Sequence, residues 1–105
     1  MSQTLDPERT ARLLQAVADP SRLRIIRCLQ RGPRNVSQLA EELDTEIVNV
    51  SHHLGVLRQS GLLLDMKQGR FVIYSLSPAY FKEFDPKTAL IDFGGCRLRI
   101  VAHAD

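Results

Sequence analysis

Cysteine is scarce in this 105-residue chain, and long apolar runs are missing altogether. Cys28 and Cys96 are too few and too far apart to form a disulfide framework. No apolar stretch approaches the length that spans a bilayer. The opening segment MSQTLDPERT lacks the apolar core of a signal peptide. A cytoplasmic protein with no membrane partner is therefore expected. Internal repeats, low-complexity tracts and linkers are also missing, so one domain over residues 1–105 is expected, small enough to gain from a partner subunit. The machinery of an enzyme is lacking too. Three histidines, two cysteines and scattered acids show no nucleophile–base pairing, phosphate loop or carboxylate pair at a telling spacing. Catalysis is not expected.

Net charge is only +2, a weak pointer to nucleic acid, but its distribution is uneven. Residues 1–34 hold seven arginines against three acids. Residues 35–65 hold Arg58 alone against Glu41, Glu42, Asp44, Glu46 and Asp65. Any attraction to a polyanion must come from elements flanking that acidic segment.

Asp6-Pro7 and Asp19-Pro20 each read as a helix start, with Asp as the N-cap and Pro in the first turn. The first helix continues through Leu13, Leu14, Ala16 and Val17. The second runs through SRLRIIRCLQRG and is closed by Gly32 and Pro33. Ile25, Ile26, Cys28 and Leu29 make that second helix central, with Cys28 as a small buried apolar residue. Arg24, Arg27 and Arg31 cluster on its other face, as a solvated stripe, as phosphate contacts or as a dimer-edge salt bridge.

Asn35 and Gln38 are spaced as a capping pair for a third helix. Its apolar stripe is Val36, Leu39, Ala40 and Leu43. A short turn at Asp44-Thr45 follows, with Thr45 as the cap of a fourth helix that ends at Gly61. Ile47, Val50, Leu54 and Leu57 form its apolar stripe, while Val48, Asn49, His52 and Gly55 point outward. A helix anchored on one side, with amide, imidazole and small groups on the other, suits a DNA groove. His53, at the edge of the stripe, is expected to pack or hydrogen-bond inward. LLLDM and RFVIYSL flank Lys67-Gln68-Gly69 and read as an antiparallel hairpin. Ser77-Pro78 is expected to begin a short helix through Ala79, Tyr80 and Phe81. Beyond Asp85-Pro86 the pattern loses clarity until CRLRIV, which alternates as a strand with Cys96, Leu98 and Ile100 on one face.

The order helix, helix, helix-turn-helix, hairpin is a winged helix-turn-helix layout. It is an α+β fold, mainly α, with a two-stranded β-hairpin wing and a candidate C-terminal strand. The residues resemble the ArsR/SmtB family of bacterial metal- and stress-responsive repressors. The resemblance rests on ADPSRLRIIRCL at 18–29, VSQLAEEL at 36–43, VSHHLGVLRQSGLL at 50–63 and GRFVIYSL at 69–76, and covers roughly residues 10–80. It implies a homodimeric cytoplasmic repressor that binds an inverted-repeat operator in double-stranded DNA and leaves it when an inducer binds. The recognition helix would be 46–60 and the wing 62–76. Residues 5–17 and 78–101 would form the dimer interface.

In that frame Asn49 offers a bidentate amide to an adenine edge, and Val48 an apolar contact for a thymine methyl. Ser51 and His52 can donate to bases or phosphates, although Ser51 can equally bond back into its own helix. Gly55 lets the helix approach the DNA backbone. Arg58, Lys67, Gln68 and Arg70 are the candidate phosphate or minor-groove contacts. Asn49 and His52 are the residues on which specificity is expected to rest.

The inducer is less legible. Asn35, Val36 and Ser37 stand where arsenic- or cadmium-responsive members often carry Cys-x-Cys. The segment AYFKEFDPKTALIDF has acids but none of the histidines of zinc- or nickel-responsive members. Cys96 and His103, with Asp92 and Asp105, remain as candidate ligands for a metal ion, though Cys-x6-His matches no strong motif. Cys96 is alternatively a redox thiol beside Arg97 and Arg99, or a residue packed in a terminal strand. A winged module that binds protein and no longer binds DNA is the competing function, favoured by the acidic helix-turn-helix.

Overall fold

The two Asp-Pro pairs start helices as their chemistry requires. Asp6 accepts the backbone N–H of Arg9 at 3.2 Å, and Pro7 opens α1 (Pro7–Val17). Asp19 accepts from the N–H groups of Ser21 and Arg22 at 2.9 and 3.1 Å, and Pro20 opens α2 (Pro20–Leu29). Each carboxylate takes up backbone donors that the first helical turn leaves unpaired. This computed structural model describes residues 4–85 and 87–101. As expected, α2 is central: Ile25, Ile26, Cys28 and Leu29 are buried, and the helix packs against α1 and the elements that follow it. Burial also raises the pKa of the Cys28 thiol, which keeps it protonated and inert.

Helix α3 (Val36–Glu42) carries the reciprocal capping box: Asn35 Oδ1 accepts the Gln38 N–H at 2.8 Å, and Gln38 Oε1 accepts the Asn35 N–H at 2.9 Å. Asp44 turns left-handed at φ 50°, and Thr45 donates its N–H back to Ala40 O at 3.0 Å. That closure assigns Thr45 to the end of α3, so it does not cap the next helix. Instead Glu46 is the N-cap of α4 (Ile47–Gln59) and makes no side-chain cap bond. Ile47 departs from its expected place as well, being 50% exposed. At the first position of α4 it lies beyond the packed stripe, which consists of Val50, Leu54 and Leu57. Helix α4 ends in a Schellman closure, with Leu62 N–H on Leu57 O at 3.1 Å and Gly61 N–H on Arg58 O at 3.0 Å. Gly61 supplies the left-handed φ of 88° that this closure needs.

Strands β1 (Leu63–Gln68) and β2 (Phe71–Leu76) form the expected antiparallel wing, in register from Leu63 opposite Leu76 to Gln68 opposite Phe71. Its root is buried at Leu62, Leu63 and Leu76. Arg34 adds a one-residue bridge to β2, exchanging backbone bonds with Tyr74 at 3.1 and 2.8 Å. The wing is thereby tied to the loop that enters α3.

After the wing the chain differs from expectation. Ser77-Pro78 begins a single turn and no helix, because Ser77 O accepts the N–H groups of both Tyr80 and Phe81 at 3.1 and 2.9 Å. Phe81, fully buried, then enters β3 (Phe81–Asp85). With β4 (Thr88–Asp92) and β5 (Arg97–Val101) it makes an antiparallel sheet in the order β3-β4-β5. A register shift between Phe81 and Glu83 breaks the alternation, which is why the sequence pattern blurs there. The expected C-terminal strand is β5, and it pairs with β4 within the chain. Ala89 and Ile91 are buried opposite Ile100 and Leu98, while Arg97 and Arg99 stand on the other face.

Arg9 holds this sheet to α1. Its guanidinium donates to the Tyr80 hydroxyl and, at 3.3 Å, to Phe93 O, and lies 5.4 Å from the Tyr80 ring centroid. Gly95 completes the contact at φ 81°; a Cβ there would lie 2.7 Å from the backbone nitrogen of Leu5.

Candidate nucleic-acid interface

The N-terminal half of α4 is exposed on every side except the one that faces the core. Val48 is 74% exposed, and Asn49, Ser51 and His52 are also exposed. With Ile47 50% exposed beside it, Val48 gives the helix start an apolar surface that a partner could cover. Val48, Ser51, His52 and Gly55 share one stripe, and nothing lies within 4 Å of where a Gly55 Cβ would be. Asn49 lies about 100° around the helix from Val48. It lines a cleft of about 250 Å³ with Ser21, Arg24, Asp44, Thr45 and His53. The amide and the imidazole therefore occupy adjacent faces, with Asn49 towards the start of α2.

His53 turns inward as expected. Its Nδ1 lies 3.1 Å from Arg22 Nη1 and 3.9 Å from Asp19 Oδ2. For Nδ1 to accept from the guanidinium, the neutral ring must carry its proton on Nε2. Arg22 also donates Nε–H to Ala16 O at 2.6 Å and Nη2–H to Gln15 O at 3.3 Å. One side chain thus ties the end of α1 to α4, and the His53 ring sits edge-on to His52 at 5.3 Å. The Arg22 N–H, with smaller contributions from the Arg22 charge and the Ser21 N–H, holds the Asp19 carboxyl below its ordinary pKa.

Arg58 is exposed in the last turn of α4, about 15 Å along the axis from Val48. It does not share the stripe's N-terminal end. Lys67, Gln68 and Arg70 are exposed at the wing tip, where the Arg70 guanidinium lies 5.3 Å from the Phe71 ring centroid. Of the acids in the helix-turn-helix, Glu42 is paired with Arg34 at 2.8 Å. Sequence reasoning missed Arg22 as a link, and Ser21 and Arg24 as neighbours of Asn49. The Asp19-Pro20 start was the available signal, because it places all three in the first turns of α2.

The candidate metal ligands do not assemble among the described residues. Asn35 is engaged in the capping box at the start of α3. Asp92 accepts the Gly94 N–H at 2.9 Å and pairs with Arg97 at 3.5 Å. Cys96 is half-buried against the core, and His103 and Asp105 lie outside the described residues. No group of three or more metal-ligating side chains occurs among the described residues.

This fold and this exposed helix face define a winged helix-turn-helix regulator. A helix-turn-helix domain model matches residues 17–65. The chain is 45% identical over 78 residues to the HTH-type transcriptional regulator NmtR of Mycobacterium tuberculosis, covering 71% of this chain and 65% of that relative. It is 46% identical over 67 residues to the arsenical resistance operon repressor of Escherichia coli, covering 63% of this chain and 57% of the relative. The solved structure of an ArsR family transcriptional regulator matches with a TM-score of 0.62 at 34% identity, covering 75% of this chain and 79% of that one. The chain belongs to the ArsR/SmtB family of transcriptional regulators, a class that is not enzymatic. It spans less than two thirds of the length of these two curated relatives.

Proposed function

We propose that this protein is a cytoplasmic, homodimeric repressor that reads an inverted-repeat operator in double-stranded DNA and leaves it in response to an inducer. The observation that carries the reading is the exposed start of α4, where Val48 stands 74% exposed beside Asn49, Ser51 and His52 on a helix anchored by Leu54, Leu57 and His53. In the major groove, Asn49 pairs with an adenine edge, Val48 meets a thymine methyl, and Ser51 and His52 donate to bases or phosphates. Arg58, Lys67, Gln68 and Arg70 supply backbone or minor-groove contacts and offset the acidic helix-turn-helix. Residues 5–17 and 78–101 form the dimer interface.

Fluorescence anisotropy with DNA from upstream of the protein's own gene tests this. Asn49→Ala and His52→Ala should each cost about 1–3 kcal/mol of specific binding while the fold and the dimer remain. Unchanged affinity in both variants removes the assignment.

The exposed apolar face of the wing, with Leu64, Met66 and Phe71 about half open, favours a second reading as a protein-binding module. Phosphate contacts must weaken as salt rises, so binding to DNA that is weak at every salt concentration favours this module. For the inducer, a metal ion at Cys96 and His103, thiol oxidation at Cys96, and a small molecule are the candidate signals. Metal analysis of chelator-free protein with a Cys96→Ser control separates the first from the others.

A further inference from the structure

A cleft of about 570 Å³ opens between α1, the start of α2 and the C-terminal end of α4. Three arginines line it, Arg9, Arg12 and Arg22, and no carboxylate does. Leu13, Val56 and Tyr80 supply an apolar part of the lining, and Gln15, Gln59 and Ser60 the neutral polar part. The size and mixed lining are those of a small-molecule site, and because Arg9, Arg12, Leu13, Gln15, Ala16 and Tyr80 fall within the segments proposed above as the dimer interface, the site would lie at the subunit junction.

The arginines are not equally committed. Arg9 serves Tyr80 and Phe93, and Arg22 serves Ala16, Gln15 and His53, yet each guanidinium keeps N–H groups in reserve. Arg12 has no hydrogen-bond or ion-pair partner among the described residues. Opposing groups are accounted for. Arg22 covers the final carbonyls of α1, and the Ser60, Gly61 and Leu62 N–H groups cover those of α4. Asp19 lies beside Arg22 and offsets part of its charge, whereas Arg9 bonds only neutral groups and Arg12 has no partner among the described residues.

We propose that this cleft binds a small amphipathic anion. Arg12, aided by the spare donors of Arg22 and Arg9, holds its carboxylate or phosphate, and its apolar body rests against Leu13, Val56 and the Tyr80 ring. Gln59 lies about 16 Å along α4 from Val48, so the ligand does not occupy the base-reading end. Arg22 connects the two ends, since the guanidinium that faces the cleft also binds His53, whose ring touches His52. If α4 reads DNA as proposed above, the anion acts on that reading through Arg22.

Calorimetry on the full chain, with benzoate and inorganic phosphate as probes and benzamide as the uncharged isostere, tests binding without DNA. Saturable binding of either anion, with benzamide about tenfold weaker or worse than benzoate, is expected. Arg12→Ala should weaken anion binding about tenfold with an unchanged circular dichroism spectrum, and Arg12→Lys should recover part of it. An anion-dependent shift in operator affinity that is lost in Arg12→Ala supports the effector role. No saturable anion binding, equal binding of benzamide, or an unaffected Arg12→Ala overturns the site. An Arg12→Ala that changes the oligomeric state while the wild type binds no anion assigns the arginines to a subunit contact and also overturns it. Protein that binds benzoate yet ignores DNA at every salt concentration overturns the regulator reading alone.

Discussion

Removing Arg22 should loosen the attachment of α4 to the rest of the protein. Its Nε–H on Ala16 O is short at 2.6 Å, and that carbonyl belongs to a buried residue, so its loss costs about 1.5 kcal/mol. The 3.1 Å bond to His53 is half-buried and contributes about 1 kcal/mol, while the exposed bond to Gln15 O contributes only a few tenths. Arg22→Ala is therefore expected to destabilise by about 3 kcal/mol, roughly 12–24 °C in Tm for a domain of this size. Urea unfolding followed by circular dichroism measures it, at fixed protein concentration because subunit association would couple to unfolding. Arg22→Lys keeps the charge without the fork and should recover less than half of the loss. A double-mutant cycle with His53→Ala isolates the link to α4 and should return a coupling of about 1 kcal/mol. An Arg22→Ala cost below about 0.5 kcal/mol, or strict additivity with His53→Ala, would refute the reasoning.

Three further outcomes follow from other contacts. Gly95→Ala drives a Cβ to 2.7 Å from the Leu5 nitrogen at a left-handed φ, and should cost about 2–3 kcal/mol by thermal melting; a shift of under a degree would contradict the close approach. Asp44→Gly relieves the left-handed residue that closes α3 and should add about 0.5–1 kcal/mol, read as a higher urea midpoint. Asp19 has a lowered carboxyl pKa, so its contribution is fully present above the ordinary value near pH 4 and fades as pH falls through the folded-state value. Asp19→Asn should therefore flatten the acid limb of the Tm-against-pH curve, and identical limbs would count against it.

Local chemistry made the front two thirds of the fold legible. The Asp-Pro starts, the Asn35–Gln38 box, the Gly61 stop and the hairpin all act within a few residues, and each was read where it stands. The inward turn of His53 likewise follows from its place at the edge of the apolar stripe. Thr45 reads locally as a cap, but its backbone is claimed by the end of α3, a competition between two helices that no single-residue preference reveals. Ser77-Pro78 looked like a helix start, but the turn hands Phe81 to a buried sheet, and the register shift hides the strand periodicity. Within the site, residue types pointed to Asn49 and His52 but not to their separate faces. The Arg22 link joins positions 31 apart in sequence, and only tertiary packing brings them together.

The contact between Leu5 and Gly95 has a topological consequence. It brings the beginning of the described chain beside a point six residues from its end, and β5 covers only about 17 Å beyond it. A short flexible linker of about six to eight residues would join residue 101 to residue 4. The molecule is thus close to a closed loop, and a circular permutant opened at the Gly69 tip of the wing would keep every helix and both sheets on one uninterrupted chain. In such a variant the two halves of the wing become the new ends, so the contribution of wing continuity to the proposed DNA contact is separated from that of the helices.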